Sequence, residues 1–308
     1  MNAQDVRIGI DLGGTKTEVI VLSASGETLL RNRVATIRGD YAATISTIVH
    51  LVRRAEVELG VQGRVGVACP GAVSAATGRL KNANSTWLNG QCLKLDLEHA
   101  LKRPVCLAND ANCFALSETM DGAAKGAPVV FGVIVGTGTG GGIVVNKQIL
   151  TGPNAIAGEW GHNPLPWPLT EELPGPACYC GKQGCIETFL CGPGMAADHY
   201  RTTSQQLTVE QIVDLAASGN DAAELTLTRY EERMAKALAS IINILDPDVI
   251  VLGGGVSNIA RLYVNVPERW QSYVFSDQVR TNLVRPQHGD SSGVRGAAWL
   301  CGDNVFSR

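Results

Sequence analysis

The stretch Asp11-Leu12-Gly13-Gly14-Thr15-Lys16 places a carboxylate, two bare glycines, a hydroxyl and an ammonium side by side. Glycines let backbone N–H groups approach an anion closely, and Thr15 and Lys16 add a hydroxyl and a positive charge. Asp11 could hold Mg²⁺, directly or through water. An ordinary hairpin turn uses the same Gly-Gly pair. The run Gly136-Thr137-Gly138-Thr139-Gly140-Gly141-Gly142 is harder to read as a turn, because each glycine costs folding entropy. It suits a backbone that must approach a polyphosphate. Gly253-Gly254-Gly255, after an apolar strand, is a third such turn, suited to a nucleoside. Together they point to a nucleotide.

Asn109-Asp110 falls between a strand and a helix. Asp110 sits where an N-cap would, and also at the strand end where α/β proteins place ligands, so it is a candidate general base. Cys178, Cys180 and Cys185 follow as Cys-x-Cys with a third cysteine five residues on, among Tyr, Gly, Lys and Gln. Three thiolates of that spacing can converge on Zn²⁺, which takes four N or S ligands. His162 is the nearest upstream candidate for the fourth; His199 is similarly near downstream. A Cys₃His set is closed, so the zinc would be structural and would stiffen a loop with little secondary structure. Glu159 and Glu187 flank the cluster, as surface charges or as acceptors for a polyhydroxyl ligand.

These residues need a scaffold, and the chain supplies strands alternating with helices, an α/β class. The spacing predicts strands at Val6–Ile10, Glu18–Leu22, Arg64–Cys69, Pro104–Ala108, Val129–Val135, Ile143–Asn146 and Val249–Leu252. Helices are expected over Tyr41–Gly60 and Ala111–Met120, as a pair within Leu207–Leu245, and over Asp290–Leu300. Pro164–Pro176 reads as irregular loop. The glycine clusters open second strands rather than helices, which argues against a pure Rossmann unit. The length, 308 residues, suggests two domains: 1–122, with a C-terminal helix of about 291–308 returning to it, and 123–290 with the zinc loop.

Lys+Arg number 26 against Asp+Glu 29, too balanced to advertise a nucleic-acid or anionic-membrane surface. No apolar run reaches the roughly 18 residues of a membrane span, and the first residues lack a signal peptide's features. A cytoplasmic enzyme is expected. The remaining cysteines, Cys69, Cys92, Cys106, Cys113, Cys191 and Cys301, read as core packing rather than a disulfide framework.

On these motifs the chain resembles the ROK sugar kinases, within the actin/hexokinase-like (ribonuclease H-like) two-domain ATPase fold with an interdomain cleft. Asp11 to Lys16 looks like the first phosphate motif, Gly136 to Gly142 the second and Gly253 to Gly255 the adenosine motif. Asn109-Asp110 matches the catalytic aspartate, Glu159 to His162 the E-x-G-H sugar motif, and Cys178 to Cys185 the C-x-C-G-x-x-G-C zinc motif, with Glu187 completing it. The resemblance implies ATP-dependent phosphorylation of a sugar hydroxyl, O6, with Asp110 accepting its proton. It implies sugar contacts from Asn84, Asn109, Asp110, Glu159, His162 and Glu187. ATP and Mg²⁺ would meet Gly9, Asp11, Gly13, Gly14, Thr15, Lys16, Gly136, Thr137, Gly138, Gly140, Gly141, Gly254 and Gly255. Structural Zn²⁺ would be held by His162, Cys178, Cys180 and Cys185, and a homodimer is expected. Lys81–Gly90 and Gly158–Trp167 look most like bacterial fructokinases of the manno(fructo)kinase type, with N-acetylglucosamine kinases as close relatives and an N-acetylglucosamine, mannose or glucose kinase of the same family as the alternative. The repressors of the family carry a helix-turn-helix ahead of the first phosphate motif, and here that motif starts near residue 9. A non-catalytic sugar sensor and a plain ATPase are rival readings.

Overall fold

A computed structural model describes residues 6–289 and 292–302. The chain forms two compact units, one of residues 1–126, 142–157 and 287–308, the other of 127–141 and 158–286. Residues 142–157, expected in the second domain, thus belong to the first unit.

The first unit is built on a sheet of β1 (Arg7–Leu12), β2 (Lys16–Leu22), β3 (Thr28–Ala35), β4 (Arg64–Cys69) and β7 (Val105–Asn109), in the order β3-β2-β1-β4-β7. β1 pairs antiparallel with β2 and parallel with β4, and β4 pairs parallel with β7. Side chains alternate along a strand, and the two faces of this sheet carry different residues. Ile8, Ile10, Val65 and Val67 share a buried cluster with Ile48, Leu51 and Val52 of α1 (Tyr41–Leu59). The opposite face is lined by Gly9 and Gly66, where a Cβ would run into Val294 O and Ala297 O of α9 (Ser292–Trp299). The glycines let a helix lie directly on the strands. α3 (Asp110–Met120) and α2 (Leu93–Leu101) complete the unit, with the short pair β5 (Ala72–Val73) and β6 (Leu80–Lys81). The helix expected to 308 ends at Trp299; its expected residues 291 and 303–308 lie outside the described residues.

β8 (Val129–Val135), β9 (Thr139–Val145), β10 (Gln148–Ile149), β11 (Val249–Gly253) and β12 (Asn282–Val284) form a sheet in the order β10-β9-β8-β11-β12. β8 reads VVFGVIV and pairs in parallel with β11, the continuous apolar pattern of a strand covered on both faces. The second unit's helices are α4 (Ile186–Leu190), α5 (Gly192–Thr203), α6 (Val209–Ala217), α7 (Asp221–Leu245) and α8 (Leu262–Trp270). α6 starts at a capping box of Thr208 and Gln211, and α7 at Asn220. A buried ionic set holds this unit: Arg233 pairs with Glu172 at 2.7 Å and with Asp198 at 2.9 Å. No described helix is long and apolar enough to cross a membrane.

Candidate active site

In the first unit the glycine turn closes the β1–β2 hairpin. Gly13 N–H donates to Lys16 O at 3.0 Å. The turn's carbonyls are held from outside it: Thr36 Oγ1 donates to Gly13 O and Arg38 Nε to Gly14 O, each at 2.8 Å. Asp11 leaves β1 on the α9 face, and a Cβ at Gly293 would sit 3.2 Å from its carboxylate. Burial, then Asp110 and Glu18 nearby, push Asp11 up to about 7, against the lowering pull of Lys16 and Arg33. Asp11 and Asp110 are thus brought together. Gly9 precedes the turn, and its missing Cβ makes room for α9.

Asp110 is exposed in the first turn of α3. The N-cap is Asn109, not Asp110 as expected: Asn109 Oδ1 accepts from Ala111 N–H at 2.8 Å, and Asp110 Oδ1 accepts from the same group at 2.8 Å. Asn109 Nδ2 donates to Gly71 O at 3.0 Å, which fixes its amide. Asn84 is exposed in a segment braced by Asn89, whose side chain bonds Ala83 N–H and O at 2.9 and 3.0 Å.

In the second unit the other glycine turn is packed against the Glu159–His162 motif. Trp160 Nε1 donates to Gly140 O at 3.0 Å, and a Cβ at Gly161 would collide with Thr139 O. Glu187, in α4, accepts from Thr139 N–H at 2.9 Å. Glu187 therefore braces the turn, a contact invisible in sequence. Gly136, Thr137 and Gly255 line a cavity of about 400 Å³. Its other wall is made by Gly192 and Pro193 at the start of α5 and by Thr208 and Glu210 at the start of α6. At α5 the first N–H groups are already used, Gly192 N–H by Gly136 O at 2.8 Å and Gly194 N–H by Cys191 Sγ at 3.3 Å, so this start pins the glycine turn to the wall. Sequence reasoning missed this wall, although the Thr208/Gln211 spacing marks the helix start.

Cys178, Cys180, Cys185 and His162 converge, their ligand atoms all within 4.8 Å of one another. Cys180 and Cys185 Sγ are 3.6 Å apart, and Cys178 Sγ lies 3.5 Å from His162 Nδ1. A tetrahedron with Zn–S of about 2.3 Å has S···S edges of roughly 3.8 Å, so the donor set fits Zn²⁺. The tight turn Cys178–Lys182, with Cys178 N–H bonded to Lys182 O at 2.8 Å, presents the first two thiols. The backbone N–H of Lys182 lowers Cys180, while burial and then the neighbouring thiols raise Cys185 to about 12. His199 is elsewhere, bonded to Thr226 at 2.9 Å. His162, expected to contact the sugar, has its Nε2 facing Tyr179 Oη at 2.9 Å. Glu159 is exposed. The expectation of core thiols fails at Cys106 and Cys301, which form a disulfide.

Residues 7–304 match the ROK family. The chain belongs to the ROK family. It is a phosphotransferase with an alcohol group as acceptor. An N-acetyl-D-glucosamine kinase of Photobacterium profundum is 40% identical over 296 residues, covering 95% of this chain and 98% of that one. A ROK hexokinase structure from Thermus thermophilus matches with TM-score 0.85 and 31% identity, covering 96% of this chain and 97% of that one. A ROK glucokinase from Streptomyces griseus, in complex with glucose and AMPPNP, matches with TM-score 0.76 and 26% identity over 96% and 98% of the two chains. The expected actin/hexokinase-like fold is therefore present. The expected fructokinase subgroup gains no support from these relatives.

Proposed function

We propose that this ROK protein transfers the γ-phosphoryl group of ATP to the O6 hydroxyl of N-acetyl-D-glucosamine. The sugar assignment is carried by the relative of that activity, which is 40% identical and aligned over 98% of its own length. That similarity outweighs the local resemblance of Lys81–Gly90 and Gly158–Trp167 to fructokinases.

Asp110 is the general base. It is exposed at the first turn of α3, and its neighbour Asn109 is locked to Gly71 O, so base and amide are presented on a rigid strand end. It accepts the hydroxyl proton as the oxygen attacks phosphorus. Asn84, Asn109 and Glu159 supply further hydrogen bonds to the sugar. Glu187 has one oxygen on Thr139 N–H and offers the second to a sugar hydroxyl. His162 contributes through Nε2, exchanging its Tyr179 partner for the sugar.

The turns at Gly13–Lys16 and Gly136–Gly141 bind phosphates with backbone N–H groups, and the cavity beside Gly255 takes the nucleoside. Asp11 holds Mg²⁺, which neutralises triphosphate charge when bound. The donor set His162, Cys178, Cys180 and Cys185 holds Zn²⁺, which supplies a closed structural link. The active species is a cytoplasmic homodimer, checked by sedimentation. A plain ATPase would have no use for the polar set Glu159, His162 and Glu187.

The test is ADP release with Mg-ATP against N-acetylglucosamine, fructose, mannose, glucose and a no-sugar blank. Highest kcat/KM on N-acetylglucosamine is expected. Highest kcat/KM on fructose would restore the fructokinase assignment, and equal release in the blank would leave an ATPase.

A further inference from the structure

The disulfide between Cys106 and Cys301 spans 195 residues of sequence with Cα atoms 5.8 Å apart. Cys106 lies on β7, the edge strand of the first sheet, and is in register with Gly66. Partners in a parallel pair face the same way, so Cys106 is on the face that carries α9. Cys301 follows the end of α9. The bond therefore ties the last described turn of the chain to the sheet it packs on.

α9 is held to the sheet by segments far from it in sequence. It is the only described helix in the unit's last segment, and its neighbours β1, β4 and α3 are remote in sequence. Its fit is close, because a Cβ at Gly9, Gly66 or Gly296 would strike backbone across the interface. Contacts of that kind are kept or lost together, as a helix docks or releases. Docked α9 also places Gly293 against the Asp11 carboxylate.

We propose that Cys106 and Cys301 are a reversible thiol–disulfide site, set by small-molecule disulfides and thiols, that latches α9. In the forward direction one thiolate attacks a small disulfide RSSR and releases one RS⁻. The second thiolate attacks the mixed disulfide and releases the other. Two protein thiols and RSSR become one protein disulfide and two RSH, so the small disulfide is the two-electron oxidant. Both cysteines are partly exposed, so reagents reach them. Arg64 Nη1 donates to Cys301 O at 2.8 Å, a contact that holds the second thiol near the first after reduction.

The experiment uses the full chain with zinc supplied, treated with glutathione disulfide or with dithiothreitol. Non-reducing digestion and mass spectrometry of the oxidised sample should yield a linked Cys106–Cys301 peptide. Alkylation should reach both cysteines only after reduction. The oxidised form should melt on the order of 5 °C above the reduced form. Amide exchange in 292–299 should be slower when oxidised, with α7 unchanged. Cys106→Ser and Cys301→Ser, made singly, should melt like reduced wild type and ignore the oxidant. Absence of the linked peptide overturns the proposal. So does a wild-type protein whose melting and α9 exchange are the same in both states.

Discussion

Replacing Asp11 with Asn should stabilise the ligand-free protein while removing its activity, and the gain should depend on pH. Asp11 is partly buried beside two other acidic groups, and its pKa stands at about 7 against an ordinary 3.8. At about 1.4 kcal/mol per unit, ionised Asp11 costs the folded state up to about 4 kcal/mol. Partial exposure and relaxation bring the expected figure to roughly 2–3 kcal/mol. The folded pKa lies above the unfolded one, so protonated Asp11 favours folding. That contribution is complete below about 4 and is lost as pH rises through about 7. Asn keeps the shape and carries no charge. The melting temperature of Asp11→Asn should match wild type near pH 4 and exceed it by roughly 4–8 °C above pH 7.5. The assay is a thermal melt of both proteins from pH 4 to 8.5 without nucleotide or divalent cation. A constant gap, or a variant that melts lower at pH 8, would refute the argument that like charge and burial strain this carboxylate.

Asp110→Asn should keep fold and sugar affinity and lose about 10²–10⁴ in kcat, read by steady-state kinetics with a parallel sugar-binding isotherm. Cys180→Ser, or removal of metal by a chelator, should lower the melting temperature and the activity together, with bound zinc counted by elemental analysis before and after. Gly161→Ala forces a Cβ against Thr139 O and should displace the glycine turn. It should raise KM for ATP several-fold while zinc content stays unchanged. Arg233→Met removes the cation shared by the buried Glu172 and Asp198, which keep Lys236 and Arg229 respectively, and should cost about 1.5–3 kcal/mol in denaturant unfolding.

The site motifs were legible because they are local. Asp11–Lys16, Gly136–Gly142 and Cys178–Cys185 each fit within a few residues, and turn chemistry and ligand spacing act at that range. What sequence hid is set by packing between remote segments. Gly9 looks like part of a phosphate motif, yet its missing side chain serves a helix nearly 300 positions away. Cys106 and Cys301 are separated by 195 residues, so no spacing rule joins them. β3 is hard to read from sequence because TLLRNRVA alternates weakly and carries Arg31 and Arg33, whose partner is the buried Glu18 of β2. Asp110 and Asn109 both cap helices well, and only the backbone separates the cap from the first turn.

The most direct measurement is a single-turnover reaction of the enzyme with γ-labelled ATP and N-acetylglucosamine, with the products separated and the phosphorylated carbon located by NMR. The account predicts label in N-acetylglucosamine 6-phosphate, one per ADP formed. Label appearing as inorganic phosphate, or on a hydroxyl other than O6, would contradict it.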